Sequence, residues 1–257
     1  MKKPQWITLG LALIVTVSLF LWGRTTPEKK GVEQAEHDHL HDVAENVLPV
    51  DSLIVIAKRQ LNPGQSAYVE TLEKNLPGAG QNSEDPGSAV EQLHVYHQLA
   101  RFWADSAGVF ELYAWYTAEA ARLENSQKSL TFAARLFLEN LQQDGILERR
   151  QWKALQAKDL FERSLKINPA DDSARVGIGA CYLFGNISPA PMEGISRIRE
   201  VLDKDSTNLY ALMTMAKASV LSGQYDKAIE RLLAIVRLQN GNPEALLLLA
   251  DVYERTG

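Results

Sequence analysis

The chain has 257 residues, 46% of them hydrophobic and 23% charged, with a net charge of −5 and a single cysteine, Cys181. That balance fits a folded helical domain with room for a membrane element, and it is far from a disordered or collagen-like composition. The acidic excess argues against a nucleic-acid binder, which needs a basic stripe, and one cysteine excludes both an intrachain disulfide and a cysteine-based metal site.

Lys2 and Lys3 precede an uncharged apolar run over residues 6–23. As a helix it would be about 27 Å long, close to the hydrocarbon thickness of a bilayer. Trp6 and Trp22 bracket it as interfacial aromatics do, and Leu21-Trp22-Gly23-Arg24 offers no small-x-small cleavage site. Residues 1–23 are therefore expected to be an uncleaved N-terminal transmembrane anchor. Basic residues nearly balance across the run. The simplest topology keeps the short tail in the cytoplasm and places the rest outside, which for a bacterial inner-membrane protein is the periplasm. Residues 24–50 are polar, carry Pro27, Gly31 and Pro49, and read as a flexible linker. Within it His37, His39 and His41 surround Asp38 and could hold zinc, nickel or copper if the segment folded around the ion. Nothing nearby would orient those imidazoles. A solvated tether is the preferred reading, with no cofactor, and metal binding is an alternative.

Residues 51–61 and 62–75 read as two helices, the second opened by the cap Asn62 and Pro63. A loop rich in proline and glycine follows to residue 87. The two helices fall outside the pattern seen later, so residues 51–87 are expected to cap the first repeat. From residue 88 to 257 the chain reads as helical almost throughout: 88–105, 108–124, 127–143, 148–167, 171–184, 191–203, 207–221, 224–239 and 243–256.

These helices repeat. Leu212-x-x-Met215-Ala216 leads to Gly223, and Leu246-x-x-Leu249-Ala250 leads to Gly257; Ala216 to Ala250 is 34 residues. Ala228 and Leu232 lie between them, and Pro243 opens the second copy. One register earlier stand Ile178-Gly179-x-x-Tyr182 and Gly194-x-x-x-Ile198. Earlier still come Leu130-x-x-Ala133-Ala134-x-x-Phe137 and Tyr96-x-x-Leu99-Ala100-x-x-Trp103, with Ala100 to Ala134 again 34 residues. Small residues let helices approach, and large ones fill what remains. Since one helix pair cannot bury its apolar face, the pairs must stack. The pattern resembles the tetratricopeptide repeat family over roughly residues 90–257. The resemblance implies an all-α, right-handed α-solenoid. Two places break the interval: the stretch around Asp144-Gly145, where longer helices are expected, and residues 185–191 (GNISPAP), where a stiff protruding loop is expected.

No catalytic constellation is present. There is no phosphate-binding glycine loop, no G-x-S-x-G and no H-E-x-x-H. Asp171 and Asp172 read as a helix cap, Cys181 as a small buried residue, and His94 and His97 as ordinary helix residues. The resemblance implies a protein-binding groove lined from the first helix of each pair. Its positions are Ser173, Val176, Ala180, Leu183 and Phe184, then Tyr210, Met213, Lys217, Val220 and Leu221, then Glu244, Leu247, Asp251 and Glu254. The strongest candidates are Phe184, Tyr210, Met213, Lys217, Leu221 and Asp251. The family's lysine and asparagine clamp for a terminal carboxylate is missing from this set. The expected function is that of a non-enzymatic adaptor with an unidentified protein or peptide partner, or an accessory subunit of an envelope assembly or biogenesis machine. At the C-terminal end, helix 243–256 lacks the second helix of its pair. Leaving its leucines uncovered would cost roughly 1.5–3 kcal/mol each, so a missing helix or a shared dimer end is expected there.

Overall fold

Eleven α-helices and one π-helical turn account for the secondary structure among the described residues of the computed structural model, 49–76, 86–188 and 191–257. They are α1 (Val50–Lys58), α2 (Pro63–Lys74), α3 (Pro86–Arg101), the π-turn Phe102–Ser106, α4 (Phe110–Glu124), α5 (Gln127–Leu141), α6 (Leu147–Ile167), α7 (Asp172–Gly185), α8 (Met192–Lys204), α9 (Leu209–Leu221), α10 (Tyr225–Leu238) and α11 (Pro243–Thr256). The expected anchor over residues 6–23, the linker up to residue 48 and the triplet His37, His39 and His41 lie outside the described residues, and Val50, read as the linker's last residue, opens α1. None of the described helices is long and apolar enough to cross a membrane.

The first helices start where an Asx or Ser side chain can replace the missing helical partner of a backbone N–H. Asp171 accepts from Ala174 N at 3.1 Å, Asn208 from Ala211 N at 3.0 Å and Asn242 from Ala245 N at 2.9 Å. Ser126 does the same for α5, and Asn62 with Gln65 forms a reciprocal capping box on α2. Left-handed Asn125 and Asn186 end α4 and α7.

Packing is sequential. Helix α3 lies on α4, α5 on α6, α7 on α8 and α9 on α10, and each pair meets the next through α4–α5, α6–α7, α8–α9 and α10–α11. First helices also touch one another, α5 on α7 and α7 on α9. The core is correspondingly a chain of neighbouring apolar clusters. The first joins α1 and α2 to Leu99, Trp103 and Tyr116, and the second runs from Ala118 through Phe137 and Phe161 to Cys181. The last two carry the core on through α7 and α9 to α11.

The small residues sit at the crossings. A methyl group added to Gly179 would lie 2.8 Å from the Gly194 carbonyl oxygen, and one added to Gly194 would lie 2.6 Å from that of Gly179. The backbones of α7 and α8 therefore touch. Ala216 and Ala228 occupy the matching crossing of α9 and α10, both fully buried, and Ala134 is fully buried on α5. Ala250 departs from the expectation. It is exposed on α11, with Leu246 44% and Tyr253 50% exposed beside it, because no described element packs on that side.

Two further features differ from the sequence reading, and a third, the longer helix expected near Asp144, is present with a turn before it. The helix expected to run to residue 105 changes to π-helical geometry after Arg101, with Ala107 N donating to Phe102 O at 3.1 Å. The extra residues around Asp144 form a turn and lengthen α6, pinned by a buried ionic cluster. There Lys153 Nζ, only 2% exposed, meets Asp144 Oδ2 at 2.7 Å, Glu111 Oε1 at 2.9 Å and Asn140 Oδ1 at 2.6 Å. Arg149 closes it with a hydrogen bond to Asp144 Oδ1 at 2.9 Å. Burial alone would raise the Asp144 carboxyl. Hydrogen bonds from Arg149, Lys153 and the Ile146 N–H outweigh it and hold the group at about 2. Finally, the segment after α7 is partly anchored rather than protruding. Ile187 is buried in the core, and the Asn186 carbonyl accepts from Gln151 at 2.9 Å.

Candidate binding groove

The first helices α5, α7, α9 and α11 bring one set of register positions to a common face. A cavity of about 690 Å³ opens there. Four of the expected groove residues line it together: Phe184 from α7, and Tyr210, Met213 and Lys217 from α9. Ala180 and Glu244, also expected, line it as well. Leu221 and Asp251 do not. Leu221 is 71% exposed at the end of α9, and Asp251 pairs with Arg255 on its own helix at 2.9 Å. Val176 is fully buried core, and Val220 and Leu183 pack against the clusters under the face.

The lining is mainly apolar and aromatic, with uncharged polar residues and four charges, three of which have partners within the array. Arg135 of α5 lies over the Tyr210 ring, 5.8 Å from its centroid. Lys217 Nζ reaches Glu244 Oε1 at 2.5 Å and so ties α9 to α11. Burial pushes the Tyr210 phenol up to about 12 despite the Arg135 charge, so it stays a neutral hydroxyl. Thr214, almost fully buried, returns its hydroxyl to the Tyr210 carbonyl at 2.8 Å and offers the cavity no donor. The cavity can thus accept an apolar or aromatic side chain, with Arg135, Glu139 and the Lys217–Glu244 pair at its rim for polar contacts.

Arg135 and Glu139 were absent from the sequence-based set, though the signal for them was available. Counting from Ala134 as one counts from Ala216 places Arg135 where Lys217 stands. The same count from Ala100 reaches His94, His97 and Arg101 on α3 and Asp105 in the π-turn after it. All four line a second cavity, of about 850 Å³, between α2 and α3. His97 and Arg101 also border a smaller one of about 360 Å³ that extends to Thr117 of α4 and Phe132 of α5. The two histidines read earlier as ordinary helix residues are exposed on this face. Among the described residues no group of three or more His, Cys, Asp or Glu side chains is placed to hold a metal ion. Cys181 is fully buried, and burial pushes its thiol well up, so it is no nucleophile here.

Helix hairpins stacked in sequence, with side chains from every first helix on one face, make a helical-repeat protein of the kind that presents a binding groove. The family model described as tetratricopeptide repeat matches residues 193–252, a stretch from the start of α8 into α11. Repeats of that family generally mediate contacts between proteins. No curated protein matches the chain.

Proposed function

We propose that the chain is a non-enzymatic adaptor that holds a segment of a partner protein across α5, α7 and α9. A bulky apolar side chain of the partner would enter the cavity beside Phe184, Tyr210 and Met213. The observation that supports this most is the arrangement of that cavity. Two aromatic residues and a methionine from two helices converge on one opening, and Arg135, Lys217 and Glu244 around it are already engaged with neighbours. A rigid rim and an apolar floor favour one well-anchored side chain over diffuse contact. The tetratricopeptide match over residues 193–252 favours the same class of function.

The test is crosslinking of the full-length chain in intact cells, followed by identification of the bound proteins. The same experiment on a Phe184→Ala, Tyr210→Ala double variant should recover the main partner at least about tenfold less, since one hot-spot truncation alone costs about 2 kcal/mol or more. Equal recovery would remove this groove from consideration. The apolar run of residues 6–23 supports a further part of the proposal, that the adaptor is held at a bacterial inner membrane with its repeats in the periplasm. A phosphatase reporter fused after Gly257 should then be active. A silent reporter with normal expression would reverse the topology.

A further inference from the structure

We propose that Asn240–Gly241, in the turn between α10 and α11, is a site of spontaneous backbone modification. The asparagine closes to a cyclic imide and reopens as isoaspartate, a substrate for enzymes that methylate isoaspartyl carboxyl groups.

This chemistry needs a free side-chain amide, a reachable backbone nitrogen and little bulk on the following residue. Asn240–Gly241 is the one Asn-Gly pair in the sequence. Both residues are exposed. Among the described residues, neither the Asn240 amide nor the Gly241 N–H makes a hydrogen bond. The turn closes around the pair instead. Gln239 N–H donates to the Ile235 carbonyl at 2.8 Å and Asn242 N–H to the Gln239 carbonyl at 3.2 Å. Asn242 Nδ2 also donates to Gln239 Oε1 at 3.0 Å. The flanks are thus held while the reactive pair between them is not. Gly241 has a φ of +84°, and a methyl group built on it would meet nothing within 4 Å, so no neighbour crowds the residue.

The step balances with water as its only co-reactant. Gly241 N attacks Asn240 Cγ and forms an N–Cγ bond. The Cγ–Nδ2 bond breaks, and ammonia leaves with the proton that Gly241 N gives up. Water then adds to the imide. Breaking the new N–Cγ bond leaves aspartate at position 240. Breaking the bond from that nitrogen to the original backbone carbonyl carbon leaves isoaspartate, with the chain now running through the side chain.

Other candidates are withheld by sequence or fold. Asn62, Asn168 and Asn242 precede prolines, which have no N–H to give. Asp144–Gly145 could form the same imide with loss of water. Its carboxyl is buried, however, and accepts from Arg149, Lys153 and the Ile146 N–H. It stays ionised, and a carboxylate is a poor electrophile. Isoaspartate at position 240 adds a methylene to the backbone exactly where Asn242 reaches back to Gln239. Asn242 also caps α11 through Ala245 N at 2.9 Å. The modification therefore loosens the start of α11, and with it the Lys217–Glu244 contact.

The test ages the purified full-length chain at mildly alkaline pH, folded and in guanidinium chloride, and follows its tryptic peptides by mass spectrometry. In the folded chain, peptide 238–255 should gain the mass of an amide-to-acid exchange. Most of the product should be isoaspartate, identified by electron-based fragmentation and by labelling with an isoaspartyl methyltransferase. The folded rate should lie within about tenfold of the denatured rate, since no opening has to come first. Asp144–Gly145 should isomerise only in guanidinium chloride. Asn240→Gln, at an exposed position and with unchanged circular dichroism, should abolish methylation of this peptide. Protection of Asn240 by the fold of more than about tenfold would overturn the proposal. A product without isoaspartate would also overturn it, because it would mean direct hydrolysis. In the isoaspartyl fraction, separated by anion exchange, α11 amides should exchange hydrogen about fivefold faster, as after loss of a cap. Unchanged exchange would overturn the link from this turn to α11.

Discussion

Gly179 and Gly194 meet carbonyl to Cα, and that contact has no slack. In Gly194→Ala the new methyl would fall 2.6 Å from the Gly179 oxygen and 2.9 Å from Tyr182 Cβ, and backbone on the facing helix cannot rotate away. The helices must part, at a cost of about 1–3 kcal/mol of stability, readable as a lower urea midpoint. The same methyl is native at Ala228 on the matching crossing of α9 and α10, so Ala228→Gly should lose stability through its own helix propensity rather than gain it. A midpoint unchanged by Gly194→Ala would show that the crossing is looser than drawn. Asp144 makes a second residue-scale case. Its folded carboxyl lies near 2, below the unfolded value near 3.9. Its contribution is therefore complete above about pH 4 and is lost as pH falls toward 2, roughly 2 kcal/mol over that window. Wild type minus Asp144→Asn, measured by denaturation at each pH, should show that slope. A flat difference would mean that Lys153 gains nothing from the charge. Lys153→Met should cost more, about 3–5 kcal/mol, since it leaves Asp144 buried against Glu111 without a cation between them.

At the scale of elements, most boundaries were legible because local chemistry sets them. An Asx cap three residues before a small or apolar position marks the start of α7, α9 and α11, and the last of these also has Pro243 in its first turn. The pattern of small residues followed by bulky ones around Ala134, Gly179 and Ala216 likewise located the crossings, although insertions stretch the spacing between them. What failed to show in the sequence depends on partners far along the chain. The Lys153–Asp144–Glu111 cluster joins three elements, and a lysine in a helix reads as surface until its neighbours are known. The π-turn after Arg101 was missed because Phe102 and Trp103 satisfy a regular helical pattern equally well. The expected residues that line a cavity come mainly from α7 and α9, where the register is strongest, while those lining the cavities on α3 and α5 were not singled out as groove residues because bulkier residues blur the repeat there. Contact order along the array also predicts which helix is weakest. Helix α11 packs mainly on α10, whereas α7 touches α5, α6, α8 and α9. Amides of α11 should therefore exchange hydrogen at lower opening free energy than those of α7, and Asn242→Ala should speed α11 by about fivefold without changing α7. Uniform protection across both helices would contradict the sequential picture.

The described array of helices is a line of neighbour contacts, so damage should stay local. Cys181 offers a way to measure this. It is the single thiol of the chain, fully buried in the cluster shared by α5, α6 and α7, and a reagent can reach it only when that region opens. Gly194→Ala loosens the helix next to it and should speed alkylation by the factor corresponding to its local destabilisation, about 5-fold to 150-fold for 1–3 kcal/mol. Val69→Ala removes buried methyls from α2, in the cluster at the other end of the described array, at a cost that is similar in kind. It should change the Cys181 rate by less than about twofold, because the opening free energy of the middle does not include that of α2. If both variants accelerate labelling equally, the array opens as one cooperative unit. A groove spanning α5, α7 and α9 could then not adjust one segment to a partner while its neighbours held still.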